Sequence, residues 1–371
     1  MSVWVVVGGQ YGSEGKGKIS AFIVLREKID IVVRCGGPNS GHCFVGEDGE
    51  LKVLRQIPTG YVRPETRLLI PSGGLIDLRV LKKELQLLGL GPDRVGVDHR
   101  AMIIEDLDRE AEARLGLRER LSSTLCGVGS AVSRKVLRGD DVVLAEKATK
   151  EATWLTPYLV DAAAEINRGI DRNKKILVEG TQGFGLSLYH SDAYPKTTSR
   201  DTSAAGCISE CGISPRMVTD IVLVLRTFPI RVAGQQAGPM YQEIDWDTVR
   251  RESGCPHALA EFTTVTGKLR RVGRFDHELA GRAMAVNRPS RLALNFLDYI
   301  SFEDRLAHSV ADLSSRSRDT LAEVEEMLGI PVYYVGVGPT LDSTFEIPTA
   351  AQPLMSKLAL IRGRDGQERS A

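Results

Sequence analysis

The start of the chain constrains the fold most. Residues 3–9, VWVVVGG, are apolar without alternation, so both faces of this segment must be buried. They run into a glycine-rich loop, Gly12-Ser13-Glu14-Gly15-Lys16-Gly17-Lys18, and residues 16–27 then take up a helical pattern. A strand buried on both faces belongs inside a mostly parallel sheet covered by helices. Other segments repeat the theme. DIVVRC (30–35), RLLIP (67–71), KILVEG (175–180), DIVLVL (220–225), RLALNFL (291–297) and VYYVGVG (332–338) read as strands. Helices are predicted at 77–88, near 155–168, at 276–287 and at 317–328. The expected fold class is α/β, with a P-loop-like first strand–loop–helix and a single large domain over residues 1–362. Residues 363–371 read as a flexible tail.

Charge and cysteine usage remove several function classes. Lys plus Arg and Asp plus Glu each number 48 in 371 residues. That balance argues against coating nucleic acid or an anionic membrane, so neither is an expected partner. No apolar run approaches the roughly 18 residues of a membrane span. The first residues lack the charged region and cleavage site of a signal peptide, and a cytoplasmic setting is expected. The cysteines Cys35, Cys43, Cys126, Cys207, Cys211 and Cys255 form no CxxC pair and are expected to be reduced thiols without a zinc site.

The loop after the first strand is suited to phosphate. Its glycines let backbone N–H groups approach an anion, and the following helix N-terminus favours negative charge. Gly12, Gly17 and Lys18 meet the G-x-x-x-x-G-K spacing, but Ile19 stands where a P-loop carries Ser or Thr. The competing reading is a glycine-rich turn with surface lysines.

The longer string VVVGGQYGSEGKGKI resembles the N-terminal signature of the adenylosuccinate synthetase family. Six further segments resemble family motifs in the family's order: GGPNSGH (36–42), EGTQG (179–183), YPKTTSRDTSAAG (194–206), EFTTVTGKLRRVGRFD (261–276), LNFLD (294–298) and VGVGP (335–339). The resemblance implies a C–N ligase. A purine 6-oxygen attacks the γ-phosphoryl group of a nucleoside triphosphate, and the amine of L-aspartate then displaces phosphate from C6.

It also implies roles for residues. Lys18, the loop N–H groups and Mg²⁺ would neutralise the phosphoryl group, His42 would act as general acid, and Gln182 would face the base. Donor binding falls to Gly12, Glu14, Gly15, Lys16, Gly17, Lys18, Gly41 and His42, and to Asn295, Phe296, Asp298, Gly336, Gly338 and Pro339. Ser13, Asn39, Ser123, Thr124, Gln182 and Thr198 would bind the acceptor nucleotide. Arg138 would reach the same site from the partner of a homodimer, and an alternative register gives this role to Arg134. The aspartate loop comprises Thr264, Val265, Thr266, Lys268 and Arg270, with Lys268 where the family usually has arginine. Ser13 and Gly41 would flank the metal.

Ser13 stands where the family has an aspartate. A hydroxyl is smaller than a carboxylate and both donates and accepts, so it leaves room for a 2-amino group beside N1 of the purine. This departure, with the short chain, resembles the phage-type 2-aminoadenylosuccinate synthetases. Those enzymes take dGMP and ATP or dATP towards 2-aminoadenine DNA, which would place the chain in a host cytoplasm. IMP with GTP, and an inactive nucleotide-binding paralogue, remain the competing readings. Asp298 favours a guanine donor, whereas Phe296 stacks on either purine.

Overall fold

The computed structural model describes residues 2–45, 49–263 and 267–348. Ten strands form one sheet: β1 Ser2–Gly8, β2 Ile31–Arg34, β3 Arg67–Ile70, β4 Val95–Asp98, β5 Leu159–Val160, β6 Lys175–Glu179, β7 Val218–Arg226, β8 Arg291–Asn295, β9 Val332–Gly336 and β10 Thr344–Glu346. The order across the sheet is β10-β9-β8-β7-β1-β6-β2-β3-β4-β5. Every pairing is parallel except the β9–β10 edge, so the expected α/β sheet is present.

The first strand lies at the centre, between β6 and β7. Its lack of alternation has the expected cause. Val3, Val5 and Val7 pack into one hydrophobic cluster, and Trp4 and Val6 pack into another on the opposite face. Helix α1, Lys16–Glu27, covers the second face with Ile19, Ile23 and Val24. Because β1 is flanked on both sides, the loops leaving β1, β2, β6, β7 and β8 converge at one end of the sheet. This is where parallel sheets place their ligands. The ladder continues into those loops: the Gly9 amide donates to Val224 O at 2.9 Å, and the Cys35 amide donates to Glu179 O at 3.0 Å.

One expectation needs correction. No single helix spans 155–168. Thr153–Tyr158 is a 3₁₀ turn containing Pro157, Leu159–Val160 forms the sheet edge, and the helix is Ala162–Asp171. Proline withholds an amide donor, and Asp161 caps the later start, accepting from the Ala164 amide at 2.9 Å. Periodicity also missed β4, β10 and a small antiparallel sheet. That sheet pairs Arg271–Gly273 with Ile230–Arg231 on one side and Glu243–Ile244 on the other. Phe228, Ile230, Trp246, Val249 and Val272 form its own core. It carries the segment with Glu261 and Arg270 to the same end of the main sheet. All six cysteines are free thiols, and among the described residues no helix is long and apolar enough to cross a membrane.

Candidate active site

A cleft of about 510 Å³ opens at that end of the sheet. The loop after β1 supplies Gly12, Ser13, Gly15, Lys16 and Gly17. The loop after β2 supplies Asn39, Gly41 and His42. Ser123 and Thr124 come from the segment before helix Val128–Leu137, Gln182 from the loop after β6, Phe296 from the end of β8, and Lys268 and Arg270 from the hairpin beside the small sheet. Motifs separated by more than 280 residues in sequence thus share one wall.

The loop glycines do two jobs. Gly12 and Gly15 have φ of 87° and 89°, the left-handed region that glycine enters without strain. Gly17 is bare for another reason: a Cβ there would lie 2.8 Å from the His42 Cβ. The missing side chain is what allows His42 to sit against α1. A Cβ on Gly15 or Gly336 would likewise collide with the Asn295 carboxamide. Asn295 is buried and its Nδ2 donates to Glu14 O at 2.7 Å. Asn295 therefore holds the loop.

Three buried or half-buried ion pairs line the floor. Glu14 is fully buried; its carboxylate accepts from the Gln10 and Gly12 amides and pairs with the Lys16 ammonium at 2.6 Å. The Glu14 side chain thus braces the loop from below and does not face the cleft. Arg34 pairs with Glu179 at 3.3 Å. Arg226, also fully buried, pairs with Glu261 at 2.5 Å.

His42 is 5% exposed, and its Nδ1 is pressed against Glu179 Oε1. The other Glu179 oxygen accepts from the amide and hydroxyl of Thr59, at 2.9 and 3.1 Å. Burial, with the Arg34 and Lys16 cations, pushes the His42 pKa well below the ordinary histidine value. The Glu179 carboxylate at Nδ1 opposes that push. A buried His–carboxylate contact of this kind orients the ring and stabilises the imidazolium that proton transfer demands.

Other expected residues fall elsewhere. Lys18 does not line the cleft; it turns towards β9 and donates to Gly338 O at 2.5 Å. Lys16 lines the cleft instead, with its ammonium paired to Glu14. Burial lowers the Lys18 pKa, and burial raises Asp298 beside it to about 7. Asp298 Oδ1 is buried without a hydrogen-bond partner among the described residues. Asp298, Gly336 and Gly338 gather around Lys18 and are not among the cleft-lining residues, nor is Pro339, whose carbonyl accepts from the Val45 amide at 3.0 Å. Thr198 also lies behind the wall, its amide donating to Leu186 O at 2.8 Å.

Arg138 is exposed at the end of helix Val128–Leu137, off this chain's cleft, and makes no ion pair among the described residues. Arg134 is held by Glu105, Asp108 and Asp141, so it is not free to take the phosphate role. Thr264, Val265 and Thr266 lie outside the described residues. Sequence reasoning gave no role to Arg34, Glu179, Arg226 and Glu261. Three of these carried a signal, since a charged residue closing an otherwise apolar strand has to be there for something other than packing.

Comparison with known proteins agrees with this geometry. Residues 5–146 and 141–311 match the family model for adenylosuccinate synthetase. The adenylosuccinate synthetase of Thermococcus sibiricus is 38% identical over 354 residues, covering 94% of this chain and 99% of its own. That of Pyrococcus horikoshii is 39% identical over 345 residues, covering 91% and 96%. Among solved structures, the fully ligated adenylosuccinate synthetase of Plasmodium falciparum superposes with a TM-score of 0.82 at 20% identity, covering 93% of this chain and all of that one. The succinoaminodeoxyadenylate synthetase of cyanophage S-2L, bound to dGMP and to dATP as an energy donor, gives 0.80 at 30% identity, covering 95% and 97%. The chain belongs to the adenylosuccinate synthetase family of C–N bond-forming ligases.

Proposed function

We propose that this ligase joins L-aspartate to C6 of dGMP, with ATP or dATP as phosphoryl donor. The observation that carries the reading is Ser13 on the cleft wall. Its backbone is in the left-handed region with φ of 59°, and Gln182 on the same wall has φ of 56°. The Gln182 Oε1 is buried and has no hydrogen-bond partner among the described residues. An unpaired buried acceptor is costly, and a purine N–H would satisfy it. A serine beside it leaves room for the 2-amino group that an aspartate would crowd, and its hydroxyl can accept from that group. The cyanophage relative's dGMP and dATP point the same way.

This chain's groups divide the work as follows. Lys16 and the loop N–H groups stabilise charge on the phosphoryl group as the 6-oxygen attacks. His42, steadied by Glu179, holds a proton at the 6-oxygen side and releases it as phosphate departs. Arg270, with Lys268, receives the carboxylates of aspartate, and the guanidinium offers a two-pronged contact. Asn39, Ser123 and Thr124 hold the 5′-phosphate, completed by Arg138 from a partner chain. Ser13 and Gly41, both on the cleft wall, would hold Mg²⁺ through neutral oxygens, and the ion would supply neutralisation of the triphosphate charge.

Asp298 bears on the donor. A carboxylate suits guanine, whose N1–H and N2–H both donate. A protonated carboxyl suits adenine, donating to N1 while accepting from the 6-amino group. Burial pushes Asp298 up to about 7, so a protonated carboxyl is available near neutral pH and an adenine donor can be accommodated.

The test is to incubate the protein with dGMP, L-aspartate, Mg²⁺ and ATP or dATP and to look for the succino-adduct by mass spectrometry. Its absence under conditions where IMP and GTP give adenylosuccinate would sink the reading. IMP with GTP is the second reading, favoured by the archaeal relatives, which are named as ordinary adenylosuccinate synthetases.

A further inference from the structure

Arg226 is 0% exposed and closes β7. Its Nη1 donates to the Ser13 carbonyl at 2.9 Å. Its Nη2 donates to Glu261 Oε1 at 2.5 Å, and Nη1 reaches Glu261 Oε2 at 3.4 Å. The guanidinium also lies over the Phe296 ring, 3.9 Å from its centroid. Tyr299 donates to the same Glu261 oxygen at 3.1 Å. Glu261 O accepts from the Arg270 amide at 2.8 Å, so its backbone pins the base of the aspartate-loop hairpin. Ser13 and Phe296 are both non-glycine residues in the left-handed region, with φ of 59° and 69°. Such conformations persist only when their surroundings hold them.

We propose that Arg226 is a positioning residue that links the acceptor-base loop at Ser13, the donor-base residue Phe296 and the aspartate hairpin at Glu261. The proposal deepens the ligase reading and rests on it for the identity of the three subsites. A rigid planar group with five donors serves three neighbours at once, which an ammonium cannot do. Acceptor nucleotide seated against Ser13 fixes its carbonyl, which fixes Arg226. Arg226 in turn fixes Glu261 and hence Arg270. Acceptor and aspartate therefore help each other bind without touching, a coupling that acts in both directions.

The test measures that coupling by calorimetry, so it does not depend on turnover. L-Aspartate affinity is measured with and without saturating dGMP, and again with IMP, in the presence of a non-hydrolysable ATP analogue and Mg²⁺. Aspartate affinity is expected to rise about tenfold with acceptor present in the wild type. Glu261→Gln keeps a side-chain oxygen for Arg226 but removes the counter-charge of that buried guanidinium, so thermal melts accompany it, and it is expected to reduce the rise to less than twofold. Arg226→Lys should lose most of it, and Tyr299→Phe should retain it. A purely structural role would lower the melting temperature and leave the coupling ratio intact; that result in Glu261→Gln and Arg226→Lys overturns the proposal. Absence of coupling in the wild type with both acceptors also overturns it. Failure of the dGMP reading alone shows differently, as coupling with IMP and none with dGMP.

Discussion

Replacing Glu179 by Gln removes one negative charge from the His42 ring and changes little in volume. A unit charge about 4 Å away at an effective dielectric near 20 is worth about 4 kcal/mol. Burial and the Arg34 and Lys16 cations already lower the His42 pKa, and losing Glu179 removes the anion at Nδ1 that steadies an imidazolium formed during proton transfer. The kcat of phosphate release is expected to fall about 10²–10³-fold, within the range for losing a general acid–base group. Arg34 keeps its bonds to Ser40 O and Arg55 O, yet it loses its buried counter-charge, for which we expect about 3 kcal/mol of lost stability. The assay is aspartate-dependent phosphate release from pH 5.5 to 9, run alongside thermal melts. The decisive control is the same substitution in a His42→Asn background. There it should cost no further rate, because residues acting as a unit are not additive. An additive loss, or an unchanged kcat in the single variant, refutes the His42–Glu179 pairing.

Three further outcomes follow from the same geometry. Gly17→Ala places a Cβ 2.8 Å from the His42 Cβ; steady-state kinetics should show a kcat loss of about 10²-fold, with a stability cost of about 1–3 kcal/mol in denaturant titration. Ser13→Asp should move kcat/KM from dGMP towards IMP by about 10²-fold or more, and an unmoved ratio contradicts the steric account. Asp298→Asn should retain ATP or dATP use, since a carboxamide also donates and accepts, and should lose any GTP use. Its pH signature has a definite sign. The folded Asp298 pKa is raised to about 7 from 3.8, so the folded state holds a proton that the unfolded chain has released. Without nucleotide, this residue makes stability fall as pH rises from about 4 to about 7. Melting curves across that window should show the slope in the wild type and a smaller one in the Asn variant.

Much of the fold was legible because unbroken apolar runs leave a strand no solvent face. Residues 3–9 announced a strand buried on both faces, and α1 falls on 16–27 as expected. The glycine loops marked the ligand end for the same reason: only a backbone that must turn left-handed or admit a neighbour closely requires so many glycines together. The short edge strands Leu159–Val160 and Thr344–Glu346 carry too few residues for periodicity to register. In the site, many of the residues that line the cleft could be read from motifs, whereas the supports could not. Lys18 satisfied the P-loop spacing, yet the neighbouring Lys16 lines the cleft, because the helix turns the two lysines to different sides. Glu179 and Arg226 act through contacts between loops far apart in sequence, and one chain read linearly shows only that each is a charge at the end of an apolar strand.

The central claim is a preference for the 2-aminopurine acceptor, and the ratio of kcat/KM for dGMP over IMP tests it most directly. Both acceptors are assayed with L-aspartate, Mg²⁺ and dATP, and again with GTP. The account requires a ratio well above one, about 10² or more, with the adenine donor. A ratio below one, with IMP and GTP the better pair, would contradict it and make this chain an ordinary adenylosuccinate synthetase with a serine at position 13.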